Sequence, residues 1–288
     1  MPVRGGRHEL VDLYESLQKS LLEAERMTEV VASFSGGKDS TAMVLRMIEI
    51  GEQLDEVLCC DTGLEFPAMY DHIGKVREAV ENAGIKFTVL KSDKGFDYYF
   101  RSIPACSSKH KKNYHGYGWP NMHMRWCTKY LKTELMNDYL KDRDVIQCTG
   151  LAADEEKRIK RKNNSSHRHP LAEWGWNESV CLGYCYGKGY DWYDTATGKG
   201  LYSIFSRTSC WLCPLQRIGE LRKLYANYPD LWEKLGRMES DLRQSRESEG
   251  MPFNTWKYKA DASWEQLNAR FQAEEKAVSS QKTIEVFI

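Results

Sequence analysis

The stretch Glu29-Val30-Val31-Ala32-Ser33-Phe34-Ser35-Gly36-Gly37-Lys38-Asp39-Ser40 decides the fold. Its first six residues form a short apolar run of the kind a buried strand makes, and the run stops at a Ser-Gly-Gly turn. From Asp39 to Ile50 the pattern turns helical, with Met43, Leu45, Met47 and Ile48 apolar. Two glycines let the backbone turn tightly and approach a ligand without a Cβ in the way. Successive N–H groups then form an anion nest, and the following helix aims its positive end at the same point. Lys38 adds a mobile positive charge, and Ser35 and Ser40 add hydroxyl donors. Asp39 also suits the first turn of any helix. The Gly-x-x-x-x-Gly-Lys-Ser/Thr spacing of a Walker A loop is absent.

Outward from this turn, strands and helices alternate. A helix reads over 8–27, with Leu10, Leu13, Leu17, Leu21 and Leu22 at helical spacing. A second strand, Asp55–Cys60, ends in Asp61-Thr62-Gly63; a helix over about 67–82 leads to a strand at Lys86–Leu90. A helix over about 124–141 leads to a fourth strand, Asp144–Thr149, which ends at Gly150. The alternation implies an α/β fold, a doubly wound parallel sheet with helices on both faces, in which ligands sit at the carboxyl ends of the strands. The motif residues fall at three such ends, 35–40, 61–67 and 150–158. Past 170 the character changes: 171–209 is rich in Trp, Tyr and Gly, Cys210–Pro214 forms a tight knuckle, and helices follow. The expected organisation is a nucleotide-binding α/β domain over 1–170, with a cysteine-knuckle and helical region over 171–288 packed on it.

The chain has 288 residues, 41% hydrophobic and 28% charged, as in an ordinary folded protein. Lys plus Arg and Asp plus Glu both number 41, so global charge points to no nucleic-acid partner and any electropositive site must be local. The N-terminal stretch lacks the apolar core of a secretory signal, and no run approaches the roughly 20 apolar residues of a membrane span. A reducing cytoplasm is the expectation, where cysteines spaced Cys-x-x-Cys serve more often as metal ligands or redox groups than as bridges. Cys210-Trp-Leu-Cys213 has that spacing, which fits zinc, an iron–sulfur cluster or a dithiol pair alike, and Cys127 stands about 80 residues earlier as a partner. Cys59, Cys60 and Cys148 read as packing in strands. The basic and aromatic stretch from Lys109 to Trp119 suits a surface loop, a lid over a nucleotide or a nucleic-acid surface. The histidines show no ligand spacing with the cysteines.

Ser35–Ser40 resembles the PP-loop signature of the adenine-nucleotide α-hydrolase superfamily, the HUP-type ATP pyrophosphatases. Asp61-Thr62-Gly63-Leu64-Glu65-Phe66-Pro67 is similar to the second-strand motif of the phosphoadenosine phosphosulfate (PAPS) reductase branch. Gly150–Arg158 resembles that branch's Gly-x-Arg-x-Asp-Glu-x-x-x-Arg segment, with Ala152 where Arg is common. Pro170–Trp174 and Cys210–Pro214 continue the similarity. The resemblance implies an enzyme that either reduces a sulfonucleotide or splits ATP between its α and β phosphates to activate an acceptor, often for sulfur insertion. It implies that the Lys38 side chain and the loop amides of Ser35, Gly36, Gly37, Lys38, Asp39 and Ser40 hold phosphates. It further implies that the strand ends at Thr62, Gly63 and Gly150 help hold the nucleotide. Asp39, Asp61 or Asp154 would help hold Mg²⁺, and Arg158 would contact phosphate or substrate; Lys38, Asp39 and Arg158 are the implied catalytic set.

Adenylylsulfate reductases and DNA phosphorothioation sulfur-transfer proteins carry cysteines in a similar arrangement around a [4Fe–4S] cluster, and Arg125-Trp126-Cys127-Thr128 resembles the latter. The resemblance implies a [4Fe–4S] cluster on Cys127, Cys210 and Cys213, with zinc as the alternative. The fourth ligand would be Cys185, Cys181, Cys148, Cys106 or no protein residue. Trp126 stands where adylylsulfate reductases have the first of a tandem pair, and Lys132 is one residue beyond their motif lysine. The tail 279–288 contains no cysteine to attack a sulfonyl sulfur, which disfavours simple PAPS or adenylylsulfate reduction. ATP cleavage to AMP and pyrophosphate, serving sulfur transfer, is therefore the leading expectation. A sulfonucleotide reductase using an external thiol is the alternative. A nucleotide- and cluster-binding subunit of a DNA-modification or defence complex, with nucleic-acid or protein partners, is a third. Oligomeric state stays open.

Overall fold

Val31 and Ala32 are wholly buried because strand β1 (Glu29–Phe34) runs through the middle of a five-stranded sheet. The computed structural model describes residues 28–107, 111–162, 166–208, 210–251 and 253–286. The expected helix over 8–27, and Lys109 and His110, lie outside the described residues. The remaining strands of the sheet are β2 (Glu56–Asp61), β3 (Lys86–Lys91), β6 (Val145–Thr149) and β7 (His167–Arg168), in the order β3-β2-β1-β6-β7. Every pairing is parallel. Central parallel strands are covered on both faces, which is why β1 and β2 read as continuous apolar runs rather than alternating ones.

The chain starts in the middle of the sheet. It moves outward through helix α1 (Lys38–Glu49) to β2 and through α2 (Pro67–Asn82) to β3, then returns to β6 on the other side of β1. The direction of winding reverses between β1 and β6, and open α/β sheets bind ligands at that crevice. The strand ends there approach very closely. A Cβ on Gly150, just after β6, would lie 2.8 Å from the Ser40 amide nitrogen.

Three local features depart from the sequence expectation. The fourth expected strand is followed by a fifth, β7, whose two residues are too few to carry a period. The helix expected over 124–141 is interrupted: Trp126–Thr128 passes through a π-helical turn, Lys129–Thr133, into α3 (Glu134–Leu140). The basic and aromatic stretch enters an antiparallel hairpin of β4 (Pro104–Ser107) and β5 (Lys112–His115). Buried Arg246 fastens the hairpin's end, donating to the carbonyls of His115 and Gly116.

Helix α4 (Glu156–Lys162) follows β6, and α5 (Glu178–Gly187) packs along α1. The C-terminal region is helical, with α6 (Ile218–Asn227), α7 (Pro229–Ser248) and α8 (Trp264–Val286). Leu221, Leu224, Trp232, Leu235, Leu267 and Phe271 bury their faces together. Among the described residues no helix is long and apolar enough to cross a membrane.

Candidate functional site

The Ser35–Ser40 loop is shaped by groups beside it and by others far along the chain. Gly36 takes φ +77°, a conformation that favours glycine, and a Cβ there would also strike the Met69 sulfur at 2.6 Å. Ser40 Oγ donates to the Gly37 carbonyl (3.0 Å) and accepts the Ser35 amide (3.2 Å), closing the turn. From far along the chain, Trp192 Nε1 donates to the Gly36 carbonyl (2.8 Å), and the Tyr202 hydroxyl accepts the Lys38 amide (2.8 Å). These bonds correct the expectation of loop amides all presented to a ligand: the Ser35 N–H is held by Ser40 and the Lys38 N–H by a phenol. Trp192 in turn stacks on His72, with ring centroids 4.2 Å apart.

The Lys38 ammonium is buried and donates to Asp39 (2.8 Å) and to Glu178 Oε2 (2.8 Å). Burial works against its charge, but hydrogen bonds and the charges of Asp39 and Glu178 outweigh it and raise its pKa above the ordinary lysine value. Asp39 moves up because it is buried, against the pull of Lys38, with the charges of Glu178 and Glu155 adding to the shift. Arg207 continues the network to Glu178 Oε1 (3.0 Å) and Glu155 (3.2 Å), and Glu155 also pairs with Arg158.

These groups line one cavity of about 1000 Å³. Its walls include Ser35, Gly37, Lys38, Asp39 and Ser40 from the loop, Thr62 from the end of β2, and Gly150, Glu155 and Arg158 from the segment after β6. The same cavity reaches Cys127, Cys210 and Cys213. At this far end Lys132 stands 3.7 Å from Glu65, and Cys210 Sγ donates to Glu65 Oε1 at 3.5 Å. Burial pushes the Cys210 and Cys213 thiols up.

Several expected residues lie elsewhere. Cys185, the suggested fourth ligand, is fully buried behind the loop, where its thiol donates to the Lys38 carbonyl (3.4 Å). Cys181 and Cys148 are likewise fully buried, and Cys106 is exposed on the hairpin. The structure thus joins only Cys127, Cys210 and Cys213 of the suggested set at the cavity wall. Asp61 is not a free carboxylate for Mg²⁺: it accepts the Gly63 amide (2.8 Å) and the Tyr70 hydroxyl (3.0 Å) and pairs with Lys91 (3.1 Å). Burial pushes its pKa up, and these three partners together bring it below the ordinary value. Gly63 and exposed Asp154 are not among the lining residues. Conversely, Glu178, Tyr202 and Arg207 went unread in the sequence, and Glu155 stood in the Gly150–Arg158 segment with no role given to it. Only Asn177-Glu178, a helix-capping pair whose Asn177 side chain accepts the Val180 amide, gave a local signal, and it marks a helix start rather than a site.

A model of the phosphoadenosine phosphosulfate reductase domain matches residues 29–178, just over half of the chain. The chain belongs to this family. The family binds adenine nucleotides, and membership supports an enzyme. Two curated relatives are uncharacterized proteins of Methanocaldococcus jannaschii. MJ0066 is 28% identical over 239 residues, covering 77% of this chain and 43% of that protein. MJ0973 is 27% identical over 216 residues, covering 70% and 45%. The chain thus spans less than half the length of either relative. Among solved structures, the U34-tRNA thiolase NcsA from Methanococcus maripaludis with its [4Fe–4S] cluster aligns with TM-score 0.38 and 16% identity, over 62% of each chain. The part of the PAPS reductase-family chain that matches the family model ends at Glu178, the residue that grips Lys38. Tyr202, Arg207, Cys210 and Cys213 lie beyond it, yet complete the same cavity.

Proposed function

We propose that this member of the PAPS reductase family is an ATP-using enzyme that activates an acceptor by adenylation and serves sulfur transfer. One observation carries the reading: a single cavity connects the phosphate loop to three cysteine side chains. ATP would lie with its phosphates against Ser35–Ser40 and Lys38. An acceptor oxygen attacks the α-phosphorus, the bond to the bridging oxygen breaks, and pyrophosphate leaves with its charge met by Lys38 and Arg158; a bound Mg²⁺ would supply further neutralisation. Asp39, whose two oxygens Lys38 holds, would help hold Mg²⁺ once phosphate draws Lys38 away. A hydrosulfide-type nucleophile then forms the new bond to the activated carbon, and AMP departs with the acceptor oxygen.

The donor chemistry at the far end suits a [4Fe–4S] cluster, since three thiols face one space. Among the described residues, no three His, Cys, Asp or Glu side chains are gathered closely enough to hold a metal as they stand. A cluster would therefore have to draw Cys127, Cys210 and Cys213 inward. When bound, it would supply an iron without a protein ligand, able to carry sulfide. Zinc is the competing occupant and would bring no such reactivity.

The test uses anaerobically isolated full chain, assayed for pyrophosphate release from ATP with and without nucleic acid, alongside iron, sulfide and zinc analysis. Pyrophosphate release with about four irons per chain supports the proposal. Sulfite release from adenylylsulfate or PAPS replaces it with a reductase, and retained nucleotide without turnover replaces it with a binding subunit.

A further inference from the structure

Three cations stand in a row at the phosphate-loop end of the cavity, and each neighbouring pair shares one carboxylate. Glu178 joins Lys38, through one oxygen at 2.8 Å, to Arg207, through the other at 3.0 Å. Glu155 Oε1 joins Arg207, at 3.2 Å, to Arg158. All five residues line the cavity. The Arg207 side chain is 64% exposed, so its ion pairs are weak, screened contacts and not packing. The residues on either side of it, by contrast, are held. The Ser206 amide donates to Glu220 (3.2 Å), and Thr208 Oγ1 hydrogen-bonds the Tyr202 hydroxyl (2.8 Å), the same hydroxyl that accepts the Lys38 amide.

A phosphate group, like a carboxylate, offers oxygens to donors on either side of it, and guanidinium groups favour such paired recognition. Two carboxylates bridging three cations in line form a pattern that two successive phosphates can take over. We propose that Arg207 is a specificity-determining residue for a polyphosphate chain. One phosphate replaces Glu178 between Lys38 and Arg207, and the next replaces Glu155 between Arg207 and Arg158. The ligand class is thus a di- or triphosphate, and a monophosphate fills only one of the two places. The assignment rests on the nucleotide reading above and adds to it a determinant from outside the stretch matched by the family model.

Isothermal titration with Mg²⁺ present would compare ATP, tripolyphosphate and AMP on the wild type, Arg207→Ala, Arg207→Lys and Glu178→Gln. Arg207→Ala should weaken ATP and tripolyphosphate about ten- to a hundredfold, the scale of one lost charge-assisted hydrogen-bond pair. AMP, whose single phosphate meets Arg207 in only one of the two places, should weaken by less than ATP does, and the urea midpoint should stay put. Arg207→Lys should recover part of the loss. Glu178→Gln should act in the opposite direction, tightening tripolyphosphate because it removes a competing anion from Lys38 and Arg207. Equal weakening of AMP and ATP by Arg207→Ala, or no weakening, overturns the assignment, as does weaker tripolyphosphate binding in Glu178→Gln. A wild type that binds tripolyphosphate but no adenine nucleotide sinks the nucleotide reading and leaves Arg207 in place. Binding of neither sinks both.

Discussion

Gly150→Ala should damage the nucleotide site without altering any polar group in it. A Cβ at this position would lie 2.8 Å from the Ser40 nitrogen, 2.9 Å from its Cα and 3.0 Å from the Asp39 carbonyl carbon. Ordinary contact begins at 3.4 Å, so a gap of about 0.6 Å must open. All three atoms are backbone in the first turn of α1, so no side chain can rotate aside. The helix start must shift bodily away from the end of β6, carrying Lys38, Asp39 and Ser40 with it. Overpacking of this kind costs about 1–3 kcal/mol. Loss of alignment at one charge-assisted hydrogen bond to phosphate adds about 1.5–3 kcal/mol to binding, tenfold or more in Kd. Urea denaturation reads the first quantity and ATP titration the second. Gly84→Ala is the control, because Gly84 has φ +77° with nothing near its missing Cβ, at a turn after α2. It should lose about 1 kcal/mol of stability through backbone strain and keep its ATP affinity. Wild-type ATP affinity in Gly150→Ala would falsify the claim that the switch-point crevice sets the loop's geometry.

Lys38→Met leaves Asp39 and Glu178 without their shared cation beside a phosphate site, and ATP affinity should fall by about a hundredfold or more, measured by the same titration. Alanine at Cys127, Cys210 or Cys213 should each abolish or halve bound iron after anaerobic reconstitution, whereas Cys185→Ala should keep it; iron loss in Cys185→Ala would remove the three-thiol arrangement from consideration. Burial pushes the Glu239 carboxyl up to about 7, against the amides of Tyr258 and Trp264 that it accepts. Because the folded state then binds a proton more tightly than the unfolded chain, Glu239 contributes stability below about pH 4.5 that is lost as pH rises through 7. The contribution is on the order of 3 kcal/mol, so the urea midpoint of the wild type should fall between pH 5 and pH 8. Glu239→Gln should flatten that slope, and an equally steep mutant would reject the assignment.

The central sheet was legible because β1 and β2 are mostly buried and stand out as apolar runs that end in a turn, while half-buried β6 shows as a short run before Gly150. β7 was not, because two residues have no periodicity. The Ser35–Ser40 turn was legible for a local reason: its glycines and lysine are contiguous. Glu178, Tyr202 and Arg207 reach Lys38 across 140 residues or more, or through one another, and no local pattern marks them. The reading of Asp61 as a magnesium candidate overlooked a turn signal that was present. Asp-x-Gly lets an aspartate accept the amide two residues on, and the Asp61 carboxylate does so with Gly63. Cys185 was misplaced because its spacing from Cys181 is that of one helix face, and that face of α5 is buried against α1.

A glycine turn that can reach many conformations is a poor receptor until something fixes one of them, since ordering it during binding would subtract from affinity. Here the fixing groups come from beyond residue 180. Trp192 holds the Gly36 carbonyl, Cys185 the Lys38 carbonyl and Tyr202 the Lys38 amide, so the peptide groups on either side of the Gly37–Lys38 step are engaged by side chains of the later chain. His72 buttresses this arrangement from α2, bonded to Thr41 at 2.8 Å and stacked on Trp192. Burial drives the His72 pKa down to about 3, so the ring is neutral at physiological pH and brings no second cation to compete with Lys38. Ser40 closes the turn from within, but most of the groups that make the loop rigid are therefore not the ones that make it recognisable. The recognisable part supplies flexibility and charge, and the aromatic segment after α5 converts both into a defined pocket whose other wall is the cysteine knuckle.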